Sequence, residues 1–153
     1  MIQYINGDLL DNDSVTHIVH QCNCKTSYPK GLAEFIFDKY PAANDYANVK
    51  NRTPGTINIH QVGVNKFVVN MFAQNSPGKP SFYETKDLRL KWFKSCLDKL
   101  CEYANDKVVF GFPYLIGCGL AGGDWDNYER LIKEFSDKVA DKKAQVLIIK
   151  LTK

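Results

Sequence analysis

Several protein classes leave no mark on this chain. No apolar run approaches the roughly eighteen residues of a membrane span, so no membrane partner is expected. The N-terminus, Met1-Ile2-Gln3-Tyr4-Ile5-Asn6, has neither a basic stretch nor the apolar core of a signal peptide and reads as a soluble, unprocessed protein. The 20 basic and 17 acidic residues give a net charge of +3 without a basic block or Arg-rich arm, so composition makes no case for nucleic acid. Five cysteines, an odd number without a leader, suit free thiols in a reducing compartment, cytoplasmic or nuclear, rather than a disulfide framework. Cys22 and Cys24 lack a matching second pair, and His20 and Cys118 do not complete a ligand set. No metal and no cofactor are therefore expected. Repeats, linkers and low-complexity segments are also missing. At 153 residues, 44% of them apolar, the chain reads as one domain over residues 1–153, and as a monomer.

What stands out is Gly117-Cys118-Gly119-Leu120-Ala121-Gly122-Gly123, with four glycines in seven residues. A strand-to-helix turn needs one or two. Glycines admit positive φ and remove side chains that would hold an anion away, and the following helix offers free N–H groups and its positive dipole end. A phosphate-bearing small molecule is the ligand this suggests. No Lys-Ser/Thr pair follows, which excludes a P-loop. Gly-Cys-Gly-Leu-Ala-Gly fits the dinucleotide fingerprint only as a string, because too little chain follows for a dinucleotide fold.

Hydrophobic patterning predicts six strands: Ile2 to Ile5, His17 to Cys22, Thr56 to Val62, Lys66 to Ala73, Val108 to Pro113 and Gln145 to Leu151. Leu32, Phe35, Ile36 and Tyr40 line a helix stopped by Pro41, where a second short helix carrying Tyr46 and Val49 begins. Trp92, Phe93, Cys96, Leu97, Leu100, Cys101 and Ala104 mark the core face of a helix from Lys86 to Tyr103. Trp125, Tyr128, Leu131, Ile132, Phe135 and Val139 mark a last one. The alternation implies an α/β fold whose partly parallel sheet carries helices on both faces. Gln74 to Glu84, with two prolines, a glycine and aromatics, reads as a loop over a site.

Three strand ends carry residues suited to chemistry: Asn6-Gly7-Asp8-Leu9, Gln21-Cys22-Asn23-Cys24 and the glycine turn. With Gly31-Leu32-Ala33 opening a helix, their order and spacing resemble the macrodomain family over nearly the whole chain. The nearest branch holds glycohydrolases that remove ADP-ribose from acidic side chains, and ADP-ribose-1″-phosphate phosphatases whose His-x-Cys-Asn-Cys is echoed by His20 to Cys24. The resemblance implies a three-layer α/β/α fold that binds ADP-ribose or its derivatives, including ADP-ribosylated protein or nucleic acid. It implies that Asp8 accepts a hydrogen bond from the adenine amine, that Leu9 supplies a backbone N–H, and that Asn23 binds the distal ribose hydroxyls. Gly31 and Leu32, with Gly117, Cys118, Gly119, Leu120, Ala121 and Gly122, would clamp the diphosphate, and Lys30 would add charge.

Two positions depart from the glycohydrolase pattern. Gln74 stands where a lysine is expected and Ala121 where an aspartate is, so neither partner of a Schiff-base mechanism is in place. Asp124, otherwise an N-cap for the last helix, is the candidate to activate water. His20, otherwise a buried strand histidine, is the candidate to donate to a leaving oxygen. The activity implied is hydrolysis of an ADP-ribose derivative, with removal of a 1″-phosphate or non-catalytic ADP-ribose binding as alternatives.

Overall fold

A computed structural model describes residues 1–152. Six strands form one sheet: β1 (Ile2–Asn6), β2 (His17–Cys22), β3 (Thr56–Gly63), β4 (Lys66–Phe72), β5 (Val109–Pro113) and β6 (Gln145–Lys150). Their order is β1-β6-β5-β2-β4-β3, with every neighbouring pair parallel except β3 and β4. The helices are α1 (Leu32–Lys39), α2 (Asp45–Asn48), α3 (Lys86–Leu100) and α4 (Trp125–Ala140).

Strand alternation divides the core into two layers. Val19, Val69, Phe110, Phe112, Val146 and Ile148 face α3 and α4 through Phe93, Leu97, Tyr128, Ile132 and Phe135. Ile18, Val68, Phe72, Leu147 and Ile149 face the other way, against Ile36 and Phe37 of α1 and Tyr46 of α2. Covered on both sides, the central strands are buried along most of their length, as β2 and β4 are, and their buried polar side chains His20 and Asn70 pair with each other. The chain is thus a three-layer α/β/α sandwich around a mixed six-stranded sheet.

Two helical boundaries differ from the sequence expectation. The helix expected to run from Pro41 is interrupted: Pro41–Ala43 makes a 3-10 turn, and Asn44 starts α2 afresh by accepting the Ala47 N–H on its side chain at 3.2 Å. An Asn side chain that can bond its own backbone competes with helix continuation. The last turn of the Lys86-to-Tyr103 helix tightens into a 3-10 turn at Cys101–Tyr103.

One connection brings a distant segment to the site. After β1, at the sheet edge, Leu9–Asp11 forms a 3-10 turn that crosses back over the sheet. Gly111 of β5 makes room for it, since a Cβ there would come within 2.8 Å of Leu9 and 2.9 Å of Val15.

Candidate functional site

The carboxyl ends of β2, β4 and β5 open into a cavity of about 720 Å³, within the range of small-molecule sites. Of the residues singled out from the sequence, His20, Asn23, Lys30, Gly31, Leu32, Gly117, Gly119, Leu120 and Ala121 line it. Asp8, Leu9, Cys118, Gly122 and Asp124 do not. Asp8 is exposed, and its carboxylate accepts the Leu10 N–H at 2.9 Å, capping the 3-10 turn that follows β1. Cys118 supplies its N–H to the Leu115 carbonyl inside the glycine turn.

The turn's four glycines serve different ends. At Gly117, φ is +76°, and a Cβ would lie 2.5 Å from the Tyr128 ring. At Gly123 a Cβ would meet the Gly117 carbonyl at 2.6 Å. Packing demands both. Gly122 has φ of +72° and packs beneath Lys79 and Pro80. Gly119 does not have positive φ, and a Cβ there would meet nothing within 4 Å. It faces the cavity, so packing in the empty protein does not require a glycine there.

Backbone hydrogen bonds within the turn run from Cys118 N to Leu115 O, Gly122 N to Gly119 O and Gly123 N to Gly117 O. Among the described residues, the N–H groups of Gly119, Leu120 and Ala121 have no protein acceptor. Successive unpaired amides of this kind form an anion nest. Beside them begins α1, whose N-cap, Gly31 (φ +62°), makes no side-chain cap. A Cβ on Gly31 would lie 3.4 Å from Leu120 Cδ1, so the helix start and the nest are adjacent. Lys30 lines the same cavity. The backbone therefore offers donors from two elements to one anionic ligand, strengthened by the α1 dipole.

The other end of the cavity is built from amides. Gln21 Nε2 donates to Gln74 Oε1 at 2.7 Å, and Gln74 Nε2 donates to the Ser76 carbonyl at 3.1 Å. Gln21 Oε1 is left buried without a partner, an orphan that a bound hydroxyl or water would relieve. Asn23 accepts the N–H groups of Lys25 at 3.0 Å and Thr26 at 2.9 Å on Oδ1, forming a local turn. Its Nδ2 donates to Tyr46 Oη at 3.3 Å, which leaves one amide hydrogen for a ligand.

The two catalytic candidates are held as follows. Asn70 commits both amide hydrogens, to the Ala43 carbonyl and to Asp45 Oδ2, each at 2.8 Å. Its Oδ1 must therefore accept, and His20 Nε2, 2.6 Å away, carries the hydrogen. Burial lowers the His20 pKa to about 4, so near neutrality the ring is uncharged and its one proton points at Asn70. Asp124 is exposed, makes no side-chain cap to α4, and pairs with Lys86 at 3.3 Å outside the cavity. Burial also pushes Cys24 and Cys118 up to about 11, so neither is a thiolate near neutral pH. Among the described residues no group of three or more His, Cys, Asp or Glu side chains is placed to hold a metal ion.

Sequence reasoning missed two arginines. Arg52 lies over the Tyr46 ring, 5.0 Å from its centroid, and donates to the carbonyls of Thr26 at 2.9 Å and Asn23 at 3.4 Å, holding the loop after β2. Arg89 of α3 is buried behind the opposite wall. Neither position shows a local sequence signal, because each acts on a loop distant in the chain.

No family model matches the sequence. Across 150 residues it is 22% identical to an uncharacterized 17.5 kDa protein of the tk-vs intergenic region of Enterobacteria phage T4, covering 91% of this chain and 92% of that one. An ADP-ribose 1″-phosphate phosphatase of Saccharomyces cerevisiae is 25% identical over 164 residues, covering 88% and 93%. Among solved structures, the macrodomain of Mycobacterium tuberculosis DarG superposes with a TM-score of 0.77 at 22% identity, over 97% of each chain. A Trypanosoma brucei macrodomain in complex with ADP-ribose gives 0.69 at 12% identity, over 99% of this chain and 64% of that one. The sheet order, the two helical layers and these superpositions agree that this chain has the macrodomain fold.

Proposed function

We propose that the cavity binds ADP-ribose and that the chain hydrolyses an ADP-ribose derivative at its distal ribose, releasing ADP-ribose from a modified protein or nucleic acid. The observation that carries the binding half is the run of unpaired N–H groups at Gly119, Leu120 and Ala121 beside the uncapped start of α1. Donors from two directions suit a diphosphate better than a single phosphate. Asp8, on the exposed turn carried back over β5, is available to the adenine amine. Asn23 and the Gln21–Gln74 pair supply amide groups for the distal ribose.

For the chemical step, position 74 holds an amide, so a Schiff base has no amine there. Water is the attacking group. Asp124 stands outside the cavity, and the His20 proton is engaged by Asn70 rather than free for a leaving oxygen, so the base in this reading is the ligand's own diphosphate, held by the backbone amides. The Saccharomyces relative's name favours a second substrate for the same step, ADP-ribose-1″-phosphate. Gln74 and Ala121 favour a third reading, binding without turnover.

Thermal unfolding and two turnover assays separate these readings. ADP-ribose should raise the melting temperature well beyond the shift given by AMP, since only the native state binds it. Equal shifts would confine recognition to the adenine end. Release of ADP-ribose from an ester-linked ADP-ribosyl protein supports the first reading and phosphate release from the 1″-phosphate supports the second. Binding with neither reaction leaves a reader.

A further inference from the structure

Arg89 is 2% exposed, and its guanidinium is shared between two loops that meet nowhere in the sequence. Nε donates to Glu84 Oε2 at 2.8 Å. One terminal nitrogen donates to Gly78 O at 2.7 Å and to Ala121 O at 3.1 Å, and the other to Ser76 O at 3.0 Å. Glu84, itself buried, turns its carboxylate back on the Asn75 and Ser76 N–H groups at 3.0 to 3.2 Å. The loop over the cavity is thus tied at its base to the glycine turn. A buried cation satisfied by one carboxylate and three carbonyls from separate segments fixes relative positions rather than adding surface charge.

The Ala121 carbonyl gives this a chemical consequence. A carbonyl oxygen turned into an anion nest would repel a phosphate, and Arg89 draws this one toward α3 while the Gly119, Leu120 and Ala121 N–H groups stay unpaired. We propose that Arg89, with Glu84, is a positioning residue that preorganises the diphosphate clamp by holding the covering loop and the glycine turn as one unit. Only a planar fork can satisfy these directions at once, so lysine is not an equivalent here. The ligand part rests on the ADP-ribose reading. The loop-coupling part does not.

The test compares Arg89→Lys with the wild-type chain by calorimetry and hydrogen exchange. The variant should still unfold cooperatively, bind ADP-ribose at least about tenfold more weakly, and bind AMP within about twofold of wild type, since the adenine contact proposed at Asp8 lies outside the coupled loops. In the free variant, the bonded amides of Ser76 and Glu84 and those of Cys118, Gly122 and Gly123 should lose protection together while sheet amides keep theirs. Unchanged ADP-ribose affinity, an equal loss for AMP, or lost protection confined to one loop would overturn the proposal. If Arg89→Lys fails to fold, the wild-type Arg89 Nε–H resonance is the readout: it should be slow to exchange and shift on adding ADP-ribose but not AMP, and a resonance indifferent to both ligands refutes the positioning role. Should wild-type protein bind no ADP-ribose, the binding reading fails alone, and the joint loss of protection still decides the coupling.

Discussion

The phosphate end of the cavity and its distal end are built from different materials. At the phosphate end the donors are backbone N–H groups of Gly119, Leu120 and Ala121 and of the start of α1, fixed by turn geometry and by glycines that packing or φ requires. At the distal end the groups are side-chain amides and a neutral imidazole, each with at least one hydrogen bond already committed to the protein. Backbone donors survive every substitution except proline, whereas a catalytic amine or carboxylate disappears with one residue. The first end keeps its donors whatever most of its side chains are, and on the proposed reading the second leaves the chemistry to water and ligand.

The largest expected effect concerns the imidazoles. Burial lowers both His20 and His17 from 6.5 to about 4, so the unfolded chain takes up protons more readily than the folded one. Stability is then full above about pH 6.5 and is lost as pH falls toward 4. Denaturant midpoints measured from pH 7 to 4 should fall steeply, while ADP-ribose affinity above pH 6 should show no inflection from His20. An inflection there would mean that His20 titrates in the cavity after all.

Next come the glycines, where packing and ligand space can be pulled apart. Gly117→Ala puts a Cβ into Tyr128 at positive φ and should cost about 3 kcal/mol of stability, read from denaturant melts. Gly119→Val should leave stability within about 1 kcal/mol, because the new side chain enters open space. It should weaken ADP-ribose binding by about 100-fold, the effect of filling ligand volume in a preformed site. Normal affinity in folded Gly119→Val protein would move the diphosphate elsewhere.

A smaller loss is expected at the adenine end. Asp8→Ala removes an exposed carboxylate and should weaken ADP-ribose binding by about 1–2 kcal/mol in calorimetry. Loss of its cap to Leu10 should lower stability by about 1 kcal/mol. The smallest effect is at Asp124. Its pair with Lys86 lies in solvent, so Asp124→Asn should change stability by less than about 0.5 kcal/mol and leave any turnover within about twofold. A much larger loss of turnover would return Asp124 to the distal end as a base reached through loop movement.

Legibility followed the range of the interactions involved. β2 was expected over His17 to Cys22 and runs there, and β4 ends one residue before the expected Ala73, because short runs with β-branched and apolar centres, Ile18-Val19 and Phe67-Val68-Val69, announce a strand locally. The nest was visible as glycine density. The different duties of Gly117 and Gly119 were not, because one depends on the Tyr128 ring eleven residues on and the other on a space that only the assembled loops enclose. The hydrogen on His20 could not be located from sequence either, since Asn70 assigns it from another strand. Two of the chain's three arginines, Arg52 and Arg89, secure cavity loops without any motif around them.

By itself the sequence determined the alternation of strands and helices, the two-sided burial of the central sheet and the place of the glycine-rich turn. Those depend on periodicity and on residues whose backbone freedom is intrinsic. Only the tertiary structure decided that Asp124 stands outside the cavity beside Lys86, that the His20 proton points at Asn70, and that a single buried guanidinium joins the covering loop to the glycine turn. Each of these is a hydrogen bond or ion pair between segments far apart in the chain, and its geometry exists only once the sheet has brought them together.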